Sequence, residues 1–195
     1  MRPAKLARTS LMRHRKTIHH IDELGHAHEL TFSWVDRLDL LMADYARAWL
    51  AQSIDRAREL HGFHLWAYVF MPNHVHLLIF PHRENYSTHK ILQSIKQPVG
   101  RKFMNRAKGI GGPVTLTPTE SRAAARGQFW QEGPGYDRNV LELKTAYAMG
   151  EYIHANLVRR GLVELETDWR WSSARVWADI EGGPLRVDKD TLSGT

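Results

Sequence analysis

The stretch FHLWAYVF-MPN-HVHLLIF, residues 63–80, decides the predicted fold. Two runs of strand-forming residues, 63–70 and 74–80, flank the turn-forming sequence MPN, which is the pattern of a β-hairpin. His74 and His76 in the second run are one residue apart, and alternate residues of a strand point to the same side. The sequence therefore predicts a hairpin that carries two imidazoles on one face, next to its turn.

The apolar patterns on either side of the hairpin predict the rest of the fold. The predicted elements are a strand at 27–34, a helix at about 37–61, the two hairpin strands, a helix at 85–106 that Pro98 kinks or breaks, a strand at 127–131 and a helix at about 138–160. The first six follow the β-α-β-β-α-β order of a ferredoxin-like fold. We therefore predict an α+β fold with an antiparallel sheet, helices on one face, a basic N-terminal arm and a C-terminal tail.

The length of 195 residues allows one domain with extensions. We predict a basic flexible arm at residues 1–24, one domain at 25–178 and a C-terminal tail at 179–195. The segment 109–127 is rich in Gly, Pro and Thr, and it is predicted to be a mobile loop.

The composition excludes several classes of protein. Because the chain contains no cysteine, disulfides, thiolate metal sites and cysteine nucleophiles are excluded. The basic N-terminus precedes no apolar run of signal-peptide length, and no apolar run is long enough for a membrane span. The expected location is the cytoplasm.

The net charge of +6 is distributed unevenly. Residues 1–21 hold six Lys or Arg and no acid, and residues 85–126 hold eight against one acid. Two basic blocks on an acidic body indicate a polyanion partner, although a solvated surface with a flexible basic tail is the alternative. The candidate nucleic-acid-binding residues on the predicted helix 85–106 are Lys96, Arg101, Lys102 and Arg106.

The last predicted helix has an apolar stripe and a tyrosine away from it. At about 100° per residue, the stripe consists of Leu143, Ala146, Gly150, Ile153 and Leu157. Tyr152 and Asn156 are one turn apart and lie on the opposite side. The spacing alone leaves open whether Tyr152 is a surface residue, a residue packed on the tail or a functional one.

Other residues compete for the same roles. His26 and His28 form a second His-x-His pair, on the predicted first strand, and spacing does not separate it from His74 and His76. Tyr136 and Tyr147 are rival tyrosines: Tyr147 is nearer the core stripe of its helix, and Tyr136 is predicted to lie in a turn.

Five short motifs together resemble one family. They are HVH after MPN, FWQ (129–131), YDRNV (136–140), YIHAN followed by Val158, and RWSSAR (170–175). In this order they are similar to the single-tyrosine HUH transposases of bacteria, and most similar to the branch of REP-associated tyrosine transposases. The resemblance runs from about residue 26 to 177, which is most of the chain.

The resemblance implies a ferredoxin-like nuclease that cuts and rejoins single-stranded DNA through a 5′-phosphotyrosine. On this chain, Tyr152 matches the nucleophile, His74 and His76 match the histidine pair, and Asn156 matches the residue that completes a metal site. In many family members proline follows this asparagine, whereas this chain has Leu157, so the end of the helix is expected to differ. Two imidazoles and an amide oxygen acting on a phosphate favour Mg²⁺ or Mn²⁺.

The resemblance also implies partners and leaves alternatives. The expected target is single-stranded DNA with hairpin or repeat sequences, bound by a monomer or a homodimer in the cytoplasm at the nucleoid. The alternatives are a non-catalytic, domesticated nucleic-acid-binding protein on the same fold and a metal-dependent hydrolase that uses water instead of tyrosine.

Overall fold

The computed structural model describes residues 21–133 and 135–193. The strands are β1 (Ala27–Ser33), β2 (Phe63–Phe70), β3 (His74–Pro81) and β4 (Tyr136–Val140). The helices are α1 (Asp44–His61), α2 (Thr88–Ala107), α3 (Pro118–Ala125), α4 (Leu143–Arg159) and α5 (Ala174–Trp177). The predicted arm at 1–24 falls mostly on residues 1–20, outside the described residues.

The four strands form one antiparallel sheet in the order β2-β3-β1-β4. This order, with α1 after β1 and α2 after β3, is the ferredoxin-like arrangement and confirms the predicted fold class. The hairpin prediction is also confirmed, since β2 and β3 pair across the turn, with Phe70 opposite Val75.

The two faces of the sheet bury different helices. Leu30 and Phe32 of β1 face a large core with α1 and α2, as the alternation of a strand requires. Ala27 of β1 and Leu78 of β3 face a smaller core with α4. The prediction of helices on one face describes α1 and α2, while α4 covers part of the other face.

The predicted strand at 127–131 is wrong. Only Trp130 makes a bridge, to Trp34, and the fourth strand is β4 at 136–140. Phe129 is buried among aromatic rings, and the Trp130 indole donates a hydrogen bond to the Lys96 carbonyl, 2.6 Å away. These aromatic side chains fill the space between β1 and α2 rather than the pleat of a strand.

The predicted loop at 109–127 contains a helix, α3, and this prediction is therefore corrected. Thr117 and Glu120 form a reciprocal capping box at its start, with Pro118 in the first turn. Pairing the first orphan N–H groups in this way stabilises a short helix. Glu120 also accepts a hydrogen bond from the Tyr45 hydroxyl of α1, which holds α3 against the domain.

Two helix predictions change in detail. The helix predicted from residue 37 begins at Asp44, after short 3-10 turns, and it ends as predicted at Gly62, whose φ is +65°. Helix α2 continues as one helix through Pro98. Proline has no N–H to bond the carbonyl of Ser94, and the Ser53 hydroxyl of α1 is shared between the carbonyls of Ile95, at 2.8 Å, and Ser94, at 3.2 Å.

The segment after residue 178, predicted as a tail, packs on the domain as far as it is described. Leu185 and Leu192 are buried. The carboxylate of Asp188 accepts hydrogen bonds from the backbone N–H of Leu65 and from the Arg58 guanidinium, at 3.0 and 2.6 Å. No helix among the described residues is long and apolar enough to cross a membrane.

Candidate active site

The His74 and His76 rings lie side by side on the α4 face of the sheet. Val75 and Leu77, between and after them, point into the opposite core. The two imidazole centroids are 4.9 Å apart, and both side chains are largely buried. The strand alternation therefore places the two rings together as the sequence predicted.

The hydrogen bonds of the two rings leave one nitrogen of each ring open. His74 Nδ1 donates to the Asn73 side-chain oxygen at 2.7 Å, and His76 Nδ1 lies 2.8 Å from the Thr31 hydroxyl. Within the described part of the chain, neither Nε2 has a hydrogen-bond partner. Burial lowers the pKa of His74 to about 3, with further contributions from His76, Arg160 and Arg37. His74 is therefore a neutral imidazole with a free lone pair at ordinary pH.

Tyr152 of α4 opens into the same cavity as His76. This cavity has a volume of about 500 Å³ and lies between the sheet and α4. Tyr152 is 44% exposed, and the Arg159 guanidinium lies 5.3 Å from its ring centroid. The phenol is thus accessible to a large substrate and stands next to a positive charge.

The buried stripe of α4 is rotated from the predicted one. Leu143 is 38% exposed, because the helix begins there, whereas Met149 and Asn156 are buried. Asn156 is therefore not opposite the core. Its amide nitrogen donates to the carbonyl of Tyr152 at 2.9 Å, which leaves the amide oxygen without a partner among the described residues.

The C-terminal segment fixes the position of α4. Gly150 has no Cβ, and a methyl group there would lie 2.1 Å from the Trp177 ring, so helix and indole are in close contact. His154 Nε2 bonds the Ser173 hydroxyl at 2.6 Å, and burial lowers the pKa of His154 to about 4. His154 is therefore a buried residue that links α4 to the segment around Ser173.

The end of α4 lies beyond the Asn156 position. Leu157 is fully buried, and the helix continues past Asn156 to Arg159. A proline at 157 would leave no backbone N–H at that position.

A family model described as IS200-like transposase matches residues 26–156. The chain belongs to the IS200-like transposase family. The matched segment begins at His26 of the first His-x-His pair and ends at Asn156. No curated protein matches the chain.

Two solved structures are similar to the chain. The structure of a REP-associated tyrosine transposase bound to a REP hairpin superposes with a TM-score of 0.62 at 17% identity, over 90% of this chain and 93% of that one. A Deinococcus radiodurans protein assigned as a transposase matches with a TM-score of 0.42 at 17% identity, over 72% of this chain and 96% of that one. The first likeness supports the fold of the whole domain.

The side chains of His26 and His28 lie on the opposite face of the sheet from those of His74 and His76. His28 lies between the Asp137 carboxylate, 2.9 Å from its Nδ1, and the Tyr86 hydroxyl, 2.7 Å from its Nε2. His26 contacts the Asn139 amide at 3.0 Å. Because His28 shares a face with Leu30, the pair is on the α1 and α2 side, away from Tyr152.

The rival tyrosines have different surroundings. Tyr147 packs edge-on against Trp177, with the ring centroids 5.9 Å apart. Tyr136 was predicted to lie in a turn, but it is the first residue of β4 and lines the cavity of Tyr152. Tyr136 pairs with Thr31, which in turn pairs with His76. Tyr136 therefore remains an alternative candidate for the nucleophile, because it lines the same cavity as Tyr152.

The four predicted DNA-binding residues lie on α2, across the sheet from Tyr152. Lys96 lies close to the Phe32 and Trp130 rings, and burial lowers the pKa of its ammonium. Lys102 reaches the Gln52 side chain at 3.2 Å, and Arg101 is exposed at the rim of a groove with Lys96. Arg106 is 3.8 Å from the Glu120 carboxylate and lies over the Tyr45 ring, so its charge is already paired.

Sequence reasoning missed a set of basic residues around the site itself. They are Arg37, Arg138, Arg159 and Arg160, of which two raise the positive potential at His74 and one lines the cavity. They were assigned to the acidic body because they are isolated from the basic blocks. Their positions in the motifs could have identified them, because Arg138 is inside YDRNV, and Arg159 and Arg160 follow YIHAN.

The donor groups at the His pair fit a divalent ion. The Nε2 atoms of His74 and His76 and the Asn156 amide oxygen have no hydrogen-bond partner among the described residues, and imidazole nitrogens and amide oxygens can both act as metal ligands. Among the described residues, no cluster of three or more His, Cys, Asp or Glu side chains is arranged for a metal.

Proposed function

We propose that this transposase cuts and rejoins single-stranded DNA through a covalent bond to Tyr152. The observation that carries the proposal is the shared cavity, in which an exposed phenol stands beside a histidine pair with open nitrogens. An accessible nucleophile next to a site for phosphate activation is the requirement for strand cleavage by transesterification.

In the proposed reaction the Tyr152 oxygen attacks the scissile phosphorus. The tyrosine O–P bond forms as the bond to the 3′ oxygen breaks, which gives a 5′-phosphotyrosine. The phenol proton leaves to solvent, and the departing 3′ oxygen takes a proton from solvent to become a free 3′-OH. Attack by another 3′-OH on the phosphotyrosine reverses these bonds and joins a new strand without ATP. Arg138, which lines the cavity, and Arg159, beside the Tyr152 ring, would hold the DNA phosphates.

His74, His76 and Asn156 would hold Mg²⁺ or Mn²⁺. When bound, such an ion polarises the phosphate and orients it for attack. The contribution of the chain is to hold the ligands in position: His74 through Nδ1 to Asn73, His76 beside the Thr31 hydroxyl, and the buried Asn156 amide through its nitrogen.

We place the DNA target in the class of hairpins and repeats, and the chain in the branch of REP-associated tyrosine transposases. The support is the fold likeness to a protein of that branch bound to a REP hairpin. We expect the chain to act in the cytoplasm at the nucleoid. Mixing a Tyr152 variant with a His76 variant would test for a homodimer, since only a tyrosine acting in trans restores activity.

The α2 residues Lys96, Arg101, Lys102 and Arg106 are proposed to bind DNA phosphates beyond the active site. Neutralising Arg101 and Lys102 together should reduce the dependence of log K on log salt by about 0.7–0.9 per true contact. Arg106→Gln should change the slope less than either of these, because Arg106 is already paired with Glu120. An unchanged slope in the double variant would assign these charges to solvated surface.

The decisive experiment uses a hairpin oligonucleotide from the flanks of the gene, with Mn²⁺, and a denaturing gel that reveals covalent protein–DNA adducts. Tyr152→Phe should bind DNA and Mn²⁺ as the wild type does and form no adduct, because only the hydroxyl is removed. Tyr136→Phe, in the same cavity, should still form it.

Each other outcome supports a different function. An adduct that persists in Tyr152→Phe and disappears in Tyr136→Phe would move the nucleophile to β4. Cleavage without an adduct would support the hydrolase that uses water. Binding of the hairpin with no cleavage by the wild type would support the non-catalytic DNA-binding protein.

A further inference from the structure

Glu29 is a buried carboxylate on the floor of the cavity that contains Tyr152. It is 5% exposed and shares a face of β1 with Thr31, opposite the apolar core that begins with Leu30. Burying a carboxylate is costly unless a partner compensates it. An apolar side chain at position 29 would pack in the small core equally well. The contacts of the Glu29 carboxylate therefore indicate why a glutamate is present.

The nearest titratable partner of Glu29 is His76. The carboxylate oxygen lies 3.6 Å from His76 Nδ1, the same nitrogen that is 2.8 Å from the Thr31 hydroxyl. Strand register produces this arrangement, because Thr31 is directly opposite His76 and Glu29 is one pleat further along β1. On its other side, Glu29 is opposite Arg138 of β4 in the strand register, and both residues line the cavity.

The two neighbours of His76 Nδ1 have different effects on the ring. A threonine hydroxyl can donate or accept a hydrogen bond, so Thr31 is compatible with a proton on either nitrogen of His76. A carboxylate only accepts, and its negative charge attracts an N–H rather than a lone pair. Glu29 therefore favours the form of His76 with the proton on Nδ1, whereas Thr31 alone would allow the proton on either nitrogen.

We propose that Glu29 is a positioning residue that keeps the His76 proton on Nδ1 and so leaves the Nε2 lone pair available for the divalent ion. The metal part of this inference rests on the proposed function. Carboxylate–histidine–metal arrangements orient the ring and raise its basicity, and loss of such a carboxylate weakens metal binding about 10–100-fold.

The test compares two carboxylates that face histidines on the same sheet. Glu29→Gln keeps the shape of the side chain and removes its charge. Asp137→Asn makes the same change next to His28, on the face away from the site. Calorimetry of the whole chain with Mn²⁺ should show binding weakened about 10–100-fold in Glu29→Gln and unchanged within about twofold in Asp137→Asn.

A second measurement reads the position of the proton directly and needs no metal. Long-range ¹H–¹⁵N spectra of the metal-free protein should show His76 protonated on Nδ1 in the wild type. In Glu29→Gln the spectrum should show a mixture of the two tautomers, while His74, whose Nδ1 donates to Asn73, stays unchanged. Glu29→Asp, which keeps the charge, should restore part of the Nδ1 form.

The two measurements separate failure of this inference from failure of the proposed function. Wild-type tautomer and wild-type Mn²⁺ affinity in Glu29→Gln would overturn the role of Glu29. If the wild type binds no Mn²⁺ that depends on His74 and His76, the proposed metal site fails, and the spectra still decide whether Glu29 sets the His76 tautomer. If Glu29→Gln unfolds, Thr31→Val with Glu29 intact should keep the Nδ1 form, and a shifted tautomer there would overturn the proposal.

Discussion

Two His-x-His pairs lie on one sheet of this molecule, and they differ in what their ring nitrogens contact. In the first pair, both nitrogens of His28 are bonded, to Asp137 and Tyr86. In the second, His74 and His76 each use Nδ1 and keep Nε2 open. The same local spacing thus gives a hydrogen-bonded network on one face and a pair of rings with open Nε2 atoms on the other.

The difference follows from hydrogen-bond chemistry. The Asp137 carboxylate is bonded to His28 Nδ1, and the Tyr86 hydroxyl, which also donates to the Glu23 carbonyl, is bonded to His28 Nε2. Because both ring nitrogens of His28 take part in hydrogen bonds, neither is open to a metal. Whether a histidine pair can serve as a ligand is decided by its neighbours on the adjacent strands, which are distant in sequence.

The largest expected effect separates the two pairs directly. Replacing His74 and His76 by alanine should abolish Mn²⁺ binding at the site and adduct formation, because two of three protein ligands are lost. Replacing His26 and His28 should leave Mn²⁺ affinity unchanged in the protein that remains folded. Calorimetry of both double variants measures this, and loss of binding only in the His26 and His28 variant would reverse the assignment.

The second effect concerns stability. Asp137→Asn removes the carboxylate that forms a buried hydrogen bond with His28, and we expect the free energy of unfolding to fall by about 1–3 kcal/mol. Glu29→Gln should cost less, because Thr31 remains as a partner of His76. Urea unfolding of the two variants provides the comparison. Equal losses would mean that Glu29 is as structural as Asp137.

Local sequence patterns predicted most of the strands and helices, but they did not predict which elements pack against one another. The alternation in 74–80 placed both imidazoles on one face, and β2, β3 and the end of α1 at Gly62 were predicted correctly. The strand at 127–131 was wrong because Phe129 and Trp130 resemble strand residues but fill the core between β1 and α2. The strand propensity of aromatic residues reflects their preference for burial, and it does not specify the element against which they are buried.

The site was predictable to the extent that its residues lie in contiguous motifs. Tyr152 and Asn156 are one turn apart on a helix, so their pairing could be read from spacing. Glu29 and Tyr136 join the site through the registers of β1 with β3 and β4, which no local pattern encodes. The burial of Asn156 was missed because the predicted stripe was centred on Leu143, which lies beyond the packed part of the helix.

A third, smaller effect appears as a pH dependence of stability. The pKa of His74 in the folded protein is lowered to about 3, from 6.5. The folded state then binds fewer protons than the unfolded state between these values, so the stability is full above about pH 6.5 and is lost as the pH falls toward 3. The slope from this one group is at most about 1.4 kcal/mol per pH unit. Urea unfolding at several pH values should give a shallower dependence for His74→Asn than for the wild type, and parallel curves would contradict the low pKa.

The smallest expected effect concerns Asn73, the side chain that is hydrogen-bonded to His74. Asn73 accepts the Nδ1 proton of His74, as Glu29 is proposed to do for His76, but it is neutral and only half-buried. Water can replace its side chain in Asn73→Ala, so Mn²⁺ affinity should fall by less than about tenfold, below the loss in Glu29→Gln. The backbone carbonyl of Asn73 still accepts from the Trp34 N–H in this variant, which keeps the turn in place. Calorimetry under the same conditions compares the two variants. A loss in Asn73→Ala larger than that in Glu29→Gln would mean that the orientation of His74, and not the carboxylate behind His76, controls the metal site.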